Sequence, residues 1–461
     1  MRKIALSVLL ASSLGAVAQQ PGTADSVFIR KVANNILVDR TMYSNLHYLT
    51  KQIGGRLAGS PQMVMAEKWG EKAMQAAGAD KVELQECMVP HWVRGGKDKA
   101  IVSFSDKGKR LSKNIEVLAL GNSLGSGAKG VKAPVIEVHS FDELEQQKNN
   151  IKGKIVFYNV PFEETFVETF QAYGKNVKYR GQGASRAAKY GAVAVLIRSM
   201  SHSVDNHPHT GAMGYDTAYP KIPAAAVGLR DVEWLDSLYQ KQQGVEAQLF
   251  TYGKMLPDTI GHSVIGELTG SDFPNQVITV GGHLDSWDVN EGANDDGTGV
   301  VQTIEVLRAF KAMGFKPKHT IRFVLFANEE NGSRGGKKYA ETGKAKGEQH
   351  IFALESDEGG FTPRGFGFTV PDKSWEKIQA WKPLFTPYYG DQFTRGGGGT
   401  DIEPLAAAMG TPMAGLRPDS QRYFDIHHSA NDVLENVNIR EVKLGAINMA
   451  ALLYLVDQYG L

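Results

Sequence analysis

Three short apolar runs in the C-terminal half of the chain each end in residues that a hydrophobic core would not choose. That coincidence constrains the fold more than any other feature. The run at 277–280 leads into Gly281-Gly282-His283-Leu284-Asp285-Ser286, that at 321–327 into Asn328-Glu329-Glu330, and that at 351–354 into Glu355-Ser356-Asp357. Runs of this length bounded by turn residues read as buried strands. Residues 297–311 place Val300, Ile304, Leu307 and Phe310 on one helical face, and 439–459 read as a second amphipathic helix. Strands alternating with helices predict an α/β fold with a central mixed, largely parallel sheet flanked by helices. Ligands of such sheets bind beyond the carboxyl ends of the strands, so His283, Glu329, Glu330 and Asp357 are expected to converge on one rim.

The remainder of the chain divides by texture. Apolar spacing predicts two helices across 26–50 and another over 61–77, with strand-like runs near 81–89 and 99–105. Between 116 and 250, short β-like runs alternate with glycine-rich turns, and a single clear helix is read at 185–190. This block is expected to be an inserted, β-rich accessory domain. The N-terminus has Arg2-Lys3, an apolar run at 4–14 and Ala16-Val17-Ala18 before Gln19, the pattern of a cleaved export signal. The predicted organisation is therefore a signal at 1–18, main-domain segments at 19–115 and 251–461, and the insert at 116–250. The apolar run is shorter than the about 20 residues that span a bilayer, and no Cys follows it, so no membrane anchor is expected.

With 51 Lys+Arg against 50 Asp+Glu, the net charge of +1 gives no reason to expect nucleic acid or an anionic membrane as partner. The single cysteine, Cys87, excludes an intramolecular disulfide and a thiolate metal cluster, and reads as a half-buried strand residue.

Two further segments supply ligand-type side chains. Gly292-Ala293-Asn294-Asp295-Asp296-Gly297 opens the helix after the first strand, and Asp425-Ile426-His427-His428-Ser429 precedes the last helix. Asp295 reads as a metal ligand returning to the rim, whereas Asp296 is evenly balanced between ligand and helix cap. Asp, Glu and His donors without thiolate suit Zn²⁺, with Mn²⁺ or Co²⁺ as substitutes. One catalytic zinc needs only three protein ligands, and the surplus points to two ions sharing a carboxylate. The extra carboxylate, Glu329, is then free to act as general base.

His283-Leu284-Asp285, Ala293-Asn294-Asp295-Asp296-Gly297, Asn328-Glu329-Glu330-Asn331-Gly332, Asp357, and His428-Ser429 with Asp432 together resemble the signature set of the dizinc metallopeptidase family of aminopeptidases and glutamate carboxypeptidases. Residues 54–60 and 220–224 resemble its plasma glutamate carboxypeptidase branch. The resemblance implies that the insert is a protease-associated domain. It further implies that Asp295 bridges two Zn²⁺, that His283 and Asp357 complete one site, and that Glu330 and His428 complete the other. Glu329 would carry the proton and Asp285 would orient His283. His427 stays a minority alternative to His428, on the argument that neighbours in an extended segment point opposite ways. Tyr423 is a candidate oxyanion donor. A homodimer is implied by the branch alone.

The expected activity is that of an exported, periplasmic or secreted exopeptidase acting on N-terminal bonds of short peptides or dipeptides. C-terminal trimming is the alternative. A catalytically silent binding protein on the same scaffold is the competing class, and it predicts a lost ligand or base; none is lost. One-zinc glutaminyl cyclisation is opposed by the five-ligand set. Weaker signals are His202, His207 and His209, read as a surface loop rather than a metal site; Arg395 with Thr400-Asp401, weighed as part of a substrate pocket; and Arg417 and Arg422, weighed as carboxylate receivers, each against ordinary surface pairing.

Overall fold

The computed structural model describes residues 22–241 and 244–461, so the expected export signal lies outside the described residues. Helices Thr23–Val38, Thr41–His47 and Pro61–Ala77 come first, the second running on as a wider turn at Tyr48–Ile53. The third shows why its sequence is helical. Ser60 Oγ accepts the Met63 N–H at 3.1 Å, Pro61 occupies the first turn, and Gly78 ends the helix at φ 92°.

Strand β1 (Lys81–Val93) follows. The chain then forms β2 (Lys99–Asp106), β3 (Lys109–Ile115), β4 (Val117–Ala119), β5 (Val131–Val138), β6 (Ile155–Tyr158), β7 (Ala194–Arg198), β8 (Ala224–Val227) and β9 (Glu246–Phe250). It returns through β10 (Lys254–Leu268), which lies antiparallel to β1. The sequence ends with β11 (Phe273–His283), β12 (His319–Phe326), β13 (Gln349–Glu355), β14 (Pro363–Thr369), β15 (Gln392–Arg395) and β16 (Met413–Pro418).

The main sheet has eight strands in the order β1-β10-β12-β11-β13-β16-β14-β15. It is mixed: β12, β11, β13 and β16 run parallel at its centre, and antiparallel pairs flank them. The central strands are buried on both faces, which is why they read as continuous apolar runs rather than as alternation. Helices Thr298–Ala312 and Ile439–Tyr459 bury most of their length against this sheet. No helix among the described residues is long and apolar enough to cross a membrane.

A second eight-stranded sheet has the order β3-β2-β9-β5-β6-β7-β8-β4. Two sequence expectations change here. The insert was expected to begin at 116, but β2 and β3 pair into this second sheet, so its strands start at Lys99. Nor is the unit simply β-rich: β5 to β8 run parallel, and helices Phe141–Gln146, Thr169–Ala188 and Leu229–Lys241 pack beside them. The long Thr169–Ala188 helix was foreseen only at its C-terminal end. Gly174, Gly181 and Gly183 weaken the local helical signal, and packing compensates: Tyr158 lies across Gly183 and donates to its carbonyl at 2.9 Å.

Candidate metal centre

The three strand ends meet as expected. β11 terminates in His283, whose Nε2 lies 3.1 Å from Asp295 Oδ1 and 3.1 Å from Asp357 Oδ1. Its Nδ1 faces the main-chain carbonyl of Asp285 at 3.0 Å, which leaves Nε2 as the nitrogen turned to the two carboxylates. The Asp285 carboxylate is 3.8 Å from Nδ1, so its hold on the ring runs through the main chain. That carboxylate instead accepts the N–H groups of Glu329 (3.0 Å) and Glu330 (3.3 Å), fixing the turn that follows β12. Asn328 makes this turn at φ 62°, a conformation that Asn tolerates better than most residues.

Asp295 sits in a loop held from two sides. Asp432 accepts the N–H groups of Asn294 (2.7 Å) and Asp295 (3.1 Å). Arg56, from the 54–60 motif, is fully buried and donates to the carbonyls of Leu284, Glu291 and Gly292. Burial lowers its guanidinium to about 10. Asp296 resolves toward the cap reading: its carboxylate accepts the Gly299 N–H and the His283 N–H, each at 3.0 Å.

The final ligand-type residue is His428. Its Nε2 is 3.1 Å from Asp295 Oδ2 and 3.1 Å from Glu330 Oε2. His427 is more distant, at 3.8 Å from Asp295. The two rings do not point opposite ways; they stack with centroids 3.5 Å apart. His428 adopts φ 59°, so the segment is not extended there and the alternation argument fails. His283, Asp295 and Glu330 form one group with ligand atoms close enough to share an ion, as do His283, Asp296 and Asp357, and Asp295, His427 and His428.

Electrostatics favour cations here. Burial and the Asp295 carboxylate raise Glu330 to about 7. Burial, with Asp357, Glu330 and Asp295 close by, holds Glu329 well above its ordinary range. Burial opposes charge on His428, but Glu330 and Asp295 outweigh it and lift the imidazole to about 10. Glu330 Oε1 is buried without a hydrogen-bond partner. An excess of buried carboxylate with an orphaned oxygen is a donor set that positive ions would satisfy, and the residues present fit zinc.

Sequence reasoning missed three neighbours, Thr210, Arg180 and Glu355. Thr210, on the inserted unit, accepts from His428 Nδ1 at 3.3 Å, and Arg180 Nη1 lies 3.4 Å from the same nitrogen. Glu355 is buried beside Asp357, takes N–H bonds from Asp401 and Ile402, and is raised to about 8 by burial and Asp357. Asp401 is itself fully buried with both oxygens unpartnered. The Glu355-Ser356-Asp357 run pointed to the first of this pair, and Thr400-Asp401, weighed as part of a substrate pocket, to the second. Tyr423 is buried against Phe170 and His427. Arg395 pairs with Asp372 and Arg422 with Glu441, the surface roles weighed against substrate binding, whereas Arg417 pairs with no carboxylate among the described residues. His209 is buried rather than on a surface loop. Cys87 is buried on β1, its thiol pushed up by burial to about 12.

Comparison with known proteins sets the chain beside peptidases. The model of Peptidase family M28 matches residues 263–453. Carboxypeptidase Q of Mus musculus is 36% identical over 414 residues, spanning 90% of this chain and 85% of its own. The crystal structure of a peptidase M28 precursor from Shewanella amazonensis SB2B superposes with a TM-score of 0.89 at 30% identity, covering 94% of this chain and 97% of that one. A zinc aminopeptidase from Bacillus subtilis shares the fold, with a TM-score of 0.61 at 20% identity, over 90% of this chain and 93% of its own.

Proposed function

The chain belongs to peptidase family M28 and is a zinc metallopeptidase; on that footing we propose a dizinc exopeptidase that removes N-terminal residues from short peptides or dipeptides. The carrying observation is Asp295, which turns one carboxylate oxygen toward His283 and the other toward His428, each at 3.1 Å. A carboxylate so placed would serve two ions, with Asp357 and His283 holding one and Glu330 and His428 the other.

Zinc bound there would acidify a water and polarise the scissile carbonyl. Glu329 takes the proton from that water and returns it to the leaving amine, a task suited to its raised affinity for protons. Asp285 aims Glu329 and Glu330 by receiving their main-chain N–H groups. Tyr423 is the candidate donor to the developing oxyanion, its phenol held well above its usual range by burial and the nearby carboxylates. We read residues 1–18 as an export signal, the 99–250 unit as a protease-associated domain, and the working assembly as a homodimer, which sedimentation would measure.

The test pairs metal analysis with hydrolysis of free, N-blocked and C-amidated dipeptides. Glu329→Gln should keep its zinc and lose roughly 10²–10⁴-fold in turnover. Full activity in that variant would remove the mechanism, and equal cleavage of N-blocked substrates would remove the aminopeptidase reading. Cleavage that needs a free C-terminal carboxylate and no free amine would favour carboxypeptidase trimming.

A further inference from the structure

We propose that the inserted unit carries a second binding site, for a free amino acid or short zwitterionic peptide, in the cavity beyond the carboxyl ends of β6, β7 and β8. Its volume is about 1190 Å³, ample for a ligand of that size. Most of the wall comes from the segments directly after those three parallel strands: 160–165 after β6, 201–205 after β7, and Leu229, Arg230 and Glu233 after β8; the helix Thr169–Ala188 adds Lys175 and Lys178. In parallel α/β layers this edge is where ligands are held.

The charges around the cavity are arranged for a dipole. Arg198, at the end of β7, makes one hydrogen bond, to Asn159 Oδ1 at 3.1 Å, and its buried Nε donates to nothing. The carboxylates of Glu233, Asp236 and Glu164 are near enough to act on it, yet none lies within ion-pair distance among the described residues. His202 Nε2 is also buried without a partner, its ring resting 4.7 Å from that of Phe162. Of the four acids lining the cavity, Glu163 is occupied by Thr165 and Asp205 by His207 and Asn431; Glu164 and Glu233 are uncommitted.

Opposite charges that face a cavity without closing on each other leave room for a ligand bearing both. Arg198 receives its carboxylate, and Glu164 and Glu233 receive its ammonium group. With Lys175 and Lys178 the cavity carries four basic side chains against its four acids, a balance that suits a zwitterion better than a polyphosphate or a bare dication. The metal ligands do not line this cavity, so it is a site apart from the metal centre. One loop nevertheless connects the two: it lines the cavity at 201–205, bonds Asn431 through Asp205, and reaches His428 through Thr210.

Site-resolved hydrogen exchange on the full-length Glu329→Gln protein, loaded with zinc, tests the assignment with triglycine as the probe. At ten times its dissociation constant the peptide should slow exchange about elevenfold at 160–165, 201–205 and 229–233. N-acetylated and C-amidated triglycine should each leave those segments unchanged. Slowing confined to 283–296 and 423–429 overturns the site, because the peptide then binds only at the metal centre. Arg198→Met should abolish the slowing. Glu233→Gln, at an exposed helix position where folding is not at stake, should do so as well, and full slowing in that variant overturns the proposal.

Discussion

At the scale of single residues, the two adjacent histidines are the sharpest case. His428 lies 3.1 Å from both Asp295 and Glu330, while His427 stacks on it from 3.8 Å off the shared carboxylate. His428→Ala should therefore release one of two zinc equivalents per chain, and His427→Ala should retain both; elemental analysis after dialysis distinguishes them. Asp285→Asn presents an amide where two main-chain N–H groups need an acceptor. Its zinc affinity or turnover should fall roughly 10–100-fold, read by competition with a chromogenic chelator and by initial rates. His283, Glu329, Glu330 and Asp357 were legible as one rim because each follows a strand, whereas the roles expected of Asp295 and His428 came from the family resemblance. Thr210 was not, since it acts through a carbonyl that every residue possesses, and Arg180 was not, since its partner lies 248 positions away in the chain.

Whole elements were readable in proportion to their apolar period. The helix Ile439–Tyr459 and the strand cores of β11, β12 and β13 were visible from spacing alone, whereas Thr169–Ala188 was hidden by its glycines and β2 and β3 were placed with the other sheet. Nothing local in β2 and β3 reveals a partner such as β9, which arrives about 140 residues later. Element-level coupling also sets an acid limit. Glu348, just before β13, is lowered to about 2: burial opposes this, but bonds to His350 and to Arg322 of β12 prevail. A depressed carboxylate stabilises the fold above its unfolded value and loses that contribution as pH falls through the folded one. Urea unfolding of wild type against Glu348→Gln should show wild type more stable at neutral pH. The gap should close as pH falls from the ordinary 4.5 toward about 2.

For the molecule as a whole, the buried carboxylates tie folding to metal. Zinc binds the assembled cluster and not the open chain, so free metal at 100 times its dissociation constant should add about 2.7 kcal/mol to stability. Calorimetry should show the melting temperature fall on chelation and recover with added zinc; no change would mean that the cluster tolerates its own repulsion. The link between Thr210 and His428 bears on how such a chain can be re-engineered or diversified. Donor positions are spread from 283 to 428, and one of them leans on a carbonyl of the inserted unit. A unit grafted from another peptidase should therefore support activity best where its loop sets a carbonyl against His428 as Thr210 does.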